Sequence, residues 1–165
     1  SNTVKKIFFI SLFFTIISCS NIEFVYKEKR NLINPLYEKT NVVTSGVDLV
    51  FIQSYVPTVF GDVKEKDFNL LVNIEEEKTK RSVETNQATS NLRYELRFTY
   101  TLKSINKNCI TYKKEILSFF SIIPKSSGYN YGTDASLEKK YELAIIENLN
   151  QFVLFLREVD ANNCK

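Results

Sequence analysis

Leu92-Arg93-Tyr94-Glu95-Leu96-Arg97-Phe98-Thr99-Tyr100-Thr101-Leu102-Lys103 alternates a large apolar residue with a polar or charged one over twelve positions. Successive side chains of a strand point to opposite faces, so this period of two describes a strand with one buried and one wet face. Downstream, Ser104 to Asn108 is a short polar turn, and Ile110, Tyr112, Ile116, Phe119 and Phe120 mark a further strand over about 109–122. Two such runs joined by a short turn predict an antiparallel hairpin. Upstream, Phe68, Leu70, Val72 and Ile74 alternate and close in Glu75-Glu76-Glu77, which reads as a strand with a solvated end, followed by a polar connection over roughly 79–90. Pro124 and Ser126-Ser127-Gly128 end the third strand.

From about Asp134 to Asp160 there is no Gly or Pro, and Leu137, Tyr141, Ala144, Ile145, Leu149, Phe152, Leu156 and Val159 recur at steps of three and four. That spacing predicts a long amphipathic helix, capped at Asp134 or Ser136, whose apolar stripe covers the aromatic face of the sheet. Residues 40–60 fit neither period. They are Val-rich, broken at Ser45-Gly46 and punctuated by Pro57 and Gly61, and read as either a short helix or an edge strand. The expected fold is α+β: an antiparallel or mixed sheet of three to four strands under a long C-terminal helix, with one shorter helix besides.

The N-terminal region carries a different signal. Lys5 and Lys6 precede Ile7 to Ile17, an apolar stretch that meets Ser18-Cys19-Ser20. A charged n-region, an apolar h-region and a small residue before a cleavage point form a secretory signal. About a dozen residues rise only ~18 Å as a helix, short of the ~30 Å hydrocarbon core, so a membrane span is disfavoured. Ile16-Ile17-Ser18-Cys19 resembles a bacterial lipobox, which implies cleavage before Cys19, a diacylglyceryl group on its thiol and an acyl chain, such as palmitate, on the new amino terminus. Each buried methylene contributes ~0.8 kcal/mol, and several chains together anchor durably. Ser20 rather than Asp after the cysteine points to the outer membrane, facing the periplasm of a Gram-negative envelope. The expected organisation is a signal peptide at 1–18, a lipidated, extended lead-in at 19–40 and a single domain at 41–165.

Composition limits the chemistry. The chain of 165 residues has no His, so Ser-His-Asp and Cys-His activation, HExxH zinc sites and Cys2His2 fingers are excluded. Glu75-Glu76-Glu77 does not offer a facing acid/base pair, because neighbours in a strand point apart. No GxGxxG or phosphate loop is present. The expectation is a protein that is not an enzyme, with no cofactor beyond the acyl groups and no metal. Removing residues 1–18 takes two lysines from the 22 Lys+Arg and none of the 19 Asp+Glu, leaving about +1. Nucleic-acid binding, which shows as a basic excess, is not expected.

The basic residues are unevenly spread. Arg93, Arg97, Lys103, Lys107, Lys113, Lys114 and Lys125 outnumber Glu95 and Glu115 between Leu92 and Lys125, whereas the C-terminal helix is acidic. The basic stripe reads as a solvated sheet face or as a contact for an anionic lipid or polysaccharide. Cys109 and Cys164 remain after lipidation. In an oxidising periplasm they can pair or stand as two thiols, and their spacing matches no metal or CxxC motif.

With these elements placed, the order of motifs over Asp67 to about Glu158 resembles the LPS-assembly lipoprotein family. Phe68-Asn69-Leu70-Leu71-Val72-Asn73-Ile74 leads to Thr85-Asn86-Gln87-Ala88-Thr89, then to Tyr94 through Leu102; Gly128-Tyr129-Asn130 stands where the family has a Ser-Tyr-Asn-like element, and a long helix follows. The resemblance implies two helices on a mixed four-stranded sheet. It also implies a lipid-anchored partner of an outer-membrane β-barrel translocon that assists lipopolysaccharide assembly. Lys80, Arg81, Arg93 and Arg97 are candidates, from charge and position, for contacts to lipopolysaccharide or the partner. Two alternatives are an auxiliary lipoprotein of an ABC-type lipid transport system and a periplasmic lipid-binding lipoprotein.

Overall fold

The structure, a computed structural model, describes residues 34–82, 90–123 and 131–165, with residues 80–82, 90 and 131–134 described by their backbone alone. Four strands and two helices follow one another as β1 (Thr40–Gly46), α1 (Leu49–Phe60), β2 (Phe68–Ser82), β3 (Ser90–Ser104), β4 (Cys109–Ile122) and α2 (Tyr131–Leu156). The sheet order is β1-β2-β3-β4. β1 runs parallel to β2, from Thr40↔Phe68 to Gly46↔Ile74, so α1 is the crossover that a parallel pair requires. The other two pairings are antiparallel. This is the mixed, two-helix α+β arrangement expected above.

The hairpin lies where the alternation places it. β3 and β4 meet through Ser104↔Cys109 and run to Leu92↔Ile122, with a one-residue irregularity beside Leu102 that skips Thr111. Asn108 takes a left-handed φ of 50° in the turn, a conformation Asn tolerates well. Tyr94, Leu96, Phe98, Tyr100 and Leu102 are all buried, as are Leu70, Val72 and Ile74 of β2 and Tyr112, Ile116 and Ile122 of β4. Against this face α2 sets Ala144, Ile145, Leu149, Phe152 and Leu156, and α1 sets Ile52 and Phe60. Tyr100 stacks on Phe152 with centroids 3.9 Å apart, and Tyr141 stands edge-on to the stacked pair Tyr94–Phe120.

Four expectations need correction. Residues 40–60 are not one element but two, because Gly46 (φ +101°) ends β1 and lets the chain turn into α1. A Cβ at Gly46 would lie 1.9 Å from the Ile74 carbonyl oxygen, so only glycine fits there. Pro57 does not end that helix, which runs on to Phe60 before Gly61 donates to the Pro57 carbonyl at 2.9 Å. β2 does not close at Glu75-Glu76-Glu77 but continues to Ser82, because β3 is long enough to pair with it throughout. Finally, α2 begins at Tyr131, which puts Asp134 and Ser136 inside it rather than at its cap.

Residues 34–39, within the stretch read as a lead-in, belong to the packed unit. Leu36 is buried, and Asn34 donates to the Val59 carbonyl while its side-chain oxygen accepts from Leu36 N–H. Cys109 and Cys164 are joined, with Cα atoms 5.8 Å apart, inside the usual disulfide range. Their bond ties the tail beyond α2 to the start of β4, where Lys165 N–H also donates to Ile110 C=O. Among the described residues no helix is long and apolar enough to cross a membrane.

Candidate functional site

Both helices supply side chains to one core with the buried face of the sheet, and the register puts the other parity of every strand on the opposite face. Across β2, β3 and β4 the rungs of that second face read Leu71↔Thr101↔Lys113, Asn73↔Thr99↔Glu115, Glu75↔Arg97↔Leu117, Glu77↔Glu95↔Phe119 and Thr79↔Arg93↔Ser121. β1 adds Val43 beside Leu71, and Ser45, whose hydroxyl bonds the Asn73 side chain at 2.8 Å. Among the described residues no element covers it.

The face is charged along its centre and apolar along its flanks. Val43, Leu71, Leu117 and Phe119 are each 41–51% exposed, so this sheet keeps large apolar side chains in water on β1, the neighbouring part of β2, and β4. The centre is balanced. Arg93, Arg97, Lys103 and Lys113 share it with Glu75, Glu77, Glu95 and Glu115. Here the linear reading of a basic stripe fails: β2 lays Glu75 directly beside Arg97 and Glu77 diagonal to both arginines, a neighbour relation invisible along β3. Lys114 leaves the stripe altogether, since its parity turns it over the Phe155 ring at 4.1 Å. Lys107 reaches the Asn162 carbonyl at 2.5 Å.

The candidate contact residues separate in the same way. Arg97 sits between Glu95 and Glu115, 3.6 Å from each, and borders a cavity of about 260 Å³ lined otherwise by Glu75, Glu76, Glu77 and Glu95. Its charge is answered within the chain, which makes it a weak anchor for a second anion. Arg93 lies over the Phe119 ring at 4.7 Å, a cation–π arrangement. Arg81 pairs with Asn91 and Lys80 with Leu92 at the far end of β2, so Arg81 shares the register parity of Arg93 and Arg97, and Lys80 does not. Cys19, Lys125 and the Gly128-Tyr129-Asn130 element lie outside the described residues.

Glu76, the middle acid of the three, belongs to the other face. It is half-buried, accepts a hydrogen bond from the Tyr141 hydroxyl and lies 3.1 Å from Lys78. With Val47, Asp48, Leu137, Glu138 and Tyr141 it lines an open cavity of about 400 Å³ at the end of β1. Burial, then Glu138 and Glu142, push the Asp48 carboxyl above its ordinary range. This acidic margin comes from three separate elements, and no sequence motif announces it. Among the described residues no group of three or more His, Cys, Asp or Glu is arranged to hold a metal ion.

No family model matches the sequence, and no curated protein matches it. Among solved structures, a candidate lipoprotein from Caulobacter crescentus superimposes with a TM-score of 0.57 at 12% identity, over 72% of this chain and 88% of that one. A minor lipoprotein from Acinetobacter baumannii gives 0.47 at 13% identity, over 78% and 95%. Rare lipoprotein B from Shewanella oneidensis gives 0.44 at 12% identity, over 73% and 93%. The likeness to the Caulobacter protein shows that this chain shares its two-helix, four-stranded fold.

Proposed function

We propose that the chain is a lipid-anchored outer-membrane lipoprotein that binds and supports a lipopolysaccharide-transporting β-barrel, assisting lipopolysaccharide assembly without performing chemistry itself. The lipobox-like Ile16-Ile17-Ser18-Cys19, followed by the family-like order of strands and helix, supports the anchor and the family. The observation that carries the binding role is the sheet face left uncovered among the described residues. Its charge-balanced centre suits the polar inner wall of a large barrel, and its apolar flanks supply area to bury. A neutral face also avoids the cost of setting a single-sign charge against a partner.

The test is purification of the full chain from membranes in mild detergent, with partners identified by mass spectrometry and acyl additions read on the intact protein. An outer-membrane barrel is expected to copurify with the wild type and to be lost from Leu71→Glu combined with Phe119→Glu. A bare monomer, an unmodified Cys19, or recovery with the inner membrane would overturn the proposal.

A further inference from the structure

β2 has fifteen residues and β1 only seven, so half of one side of β2 has no neighbouring strand among the described residues. The Val47 N–H closes the β1 ladder on the Ile74 carbonyl at 3.2 Å, after which the chain turns away. From Glu75 to Ser82 the other side of β2 stays fully paired with β3. Backbone groups alternate in direction along a strand. Because the Ile74 carbonyl points to β1, the N–H and C=O groups of Glu76, Lys78 and Lys80 point to the open edge. They require water or another strand.

The sequence of this edge is Glu75-Glu76-Glu77-Lys78-Thr79-Lys80-Arg81-Ser82, acids first and bases after. Charge of either sign repels a stray apolar strand. The same pattern is complementary to itself when reversed. Directly opposed residues in a sheet share a face, so a twofold axis normal to the sheet pairs only residues of equal parity. Centred on Lys78, the antiparallel register sets Glu76 opposite Lys80 and Glu75 opposite Arg81, each twice in the assembly. It also aligns the open backbone groups of residues 76, 78 and 80 with those of 80, 78 and 76. Lys78 meets its own copy, but Glu76 lies 3.1 Å away on the same strand and answers its charge. Centring on Glu77 would oppose that acid to itself and leave part of the edge empty; centring on Thr79 would oppose Lys78 to Lys80.

We propose that this half of β2 is a homodimer edge. A second copy of the chain pairs antiparallel with Glu75–Arg81 in the register centred on Lys78, joining two four-stranded sheets into one. In this register the seven residues Glu75–Arg81 pair with their own copies, and only Ser82 extends past the open stretch, opposite Ile74, whose edge β1 already holds.

The test uses the full chain in detergent micelles. Hydrogen-bonded opposed residues have Cα atoms ~5.5 Å apart, within disulfide reach, so Lys78→Cys is expected to form a reducible intermolecular crosslink. Thr79→Cys, opposed to Glu77 and not to itself, is expected to form little. Glu75→Lys and Arg81→Glu, each turning two attractive pairs repulsive, should weaken association roughly 10-fold in sedimentation, and the double variant should restore it. Unchanged circular dichroism would confirm that the exposed Lys78 and Glu75 sites still fold when substituted. A strictly monomeric wild type, faster crosslinking through Thr79→Cys than through Lys78→Cys, or a double variant as weak as its singles would overturn the proposal.

Discussion

Asn148 lies on the core-facing side of α2 with no exposure, and replacing it tests how the helix is seated on the sheet. Its Oδ1 accepts from the Tyr100 hydroxyl at 2.6 Å, and its Nδ2 donates to the Ile116 carbonyl at 3.2 Å and to the Ser118 hydroxyl at 2.8 Å. One side chain thus links β3, β4 and α2 inside the core. Asn148→Leu keeps the volume but strands the Tyr100 hydroxyl and the Ile116 carbonyl. Each buried, unsatisfied group costs ~1–3 kcal/mol, so a loss of about 2–4 kcal/mol is expected. Tyr100→Phe removes the hydroxyl and orphans only Oδ1, at about 1–2 kcal/mol. Burial holds the Tyr100 phenol well above its ordinary 10.0, which keeps it a proton donor across the working pH range. In the double variant neither group waits for the other, so its cost should fall below the sum of the singles by about 1–2 kcal/mol. Urea unfolding reads this directly: with a slope of ~1–3 kcal/mol/M, a 3 kcal/mol loss lowers the midpoint by roughly 1–3 M. Additive singles, or a more stable Asn148→Leu, would refute the idea that this network seats the helix.

Removing the Cys109–Cys164 bond, which spans 55 positions, frees a loop whose closure is worth about 4 kcal/mol in the chain-entropy account. Cys109→Ser with Cys164→Ser should lower the unfolding midpoint sharply under oxidising conditions and match the reduced wild type. Asp48→Asn tests the acidic margin. A carboxyl whose folded pKa is raised favours folding relative to its charged state at low pH, and that contribution is lost as pH rises through the folded value. Asn also tolerates the left-handed φ of 53° at this position. The variant should therefore gain up to about 0.5 kcal/mol at pH 7 and nothing below the ordinary 3.8, where Asp48 is protonated in both states. A gain of equal size at pH 3 would contradict the electrostatic cause.

The hairpin and the helix stripe were legible because their physics is local. A period of two over Leu92–Lys103 has one solution, and the structure buries Tyr94, Leu96, Phe98, Tyr100 and Leu102, leaving only Leu92 at the strand's start half-buried. The same holds for Ala144, Ile145, Leu149 and Phe152 of α2, but not for Asn148 between them, which looks polar in sequence and is buried only because Tyr100 waits opposite. Residues 40–60 were illegible because β1 is a mostly half-exposed edge strand with no clean alternation of its own, and because Gly46 acts through a contact with Ile74, 28 positions away. Arg93 and Arg97 do share a face, yet only strand pairing reveals that Glu75, Glu77 and Glu115 share it too.

By itself the sequence determined which residues alternate, where the long helix runs, that His-dependent chemistry is excluded and that a lipobox-like segment precedes the domain. Tertiary structure alone decided the parallel β1–β2 pairing, the length of β2, the sheet face that no described element covers, and its charge balance. Periodicity reports how one segment divides between core and water. Which charges become neighbours depends on strands brought together from distant parts of the chain, and that follows only once the sheet has formed.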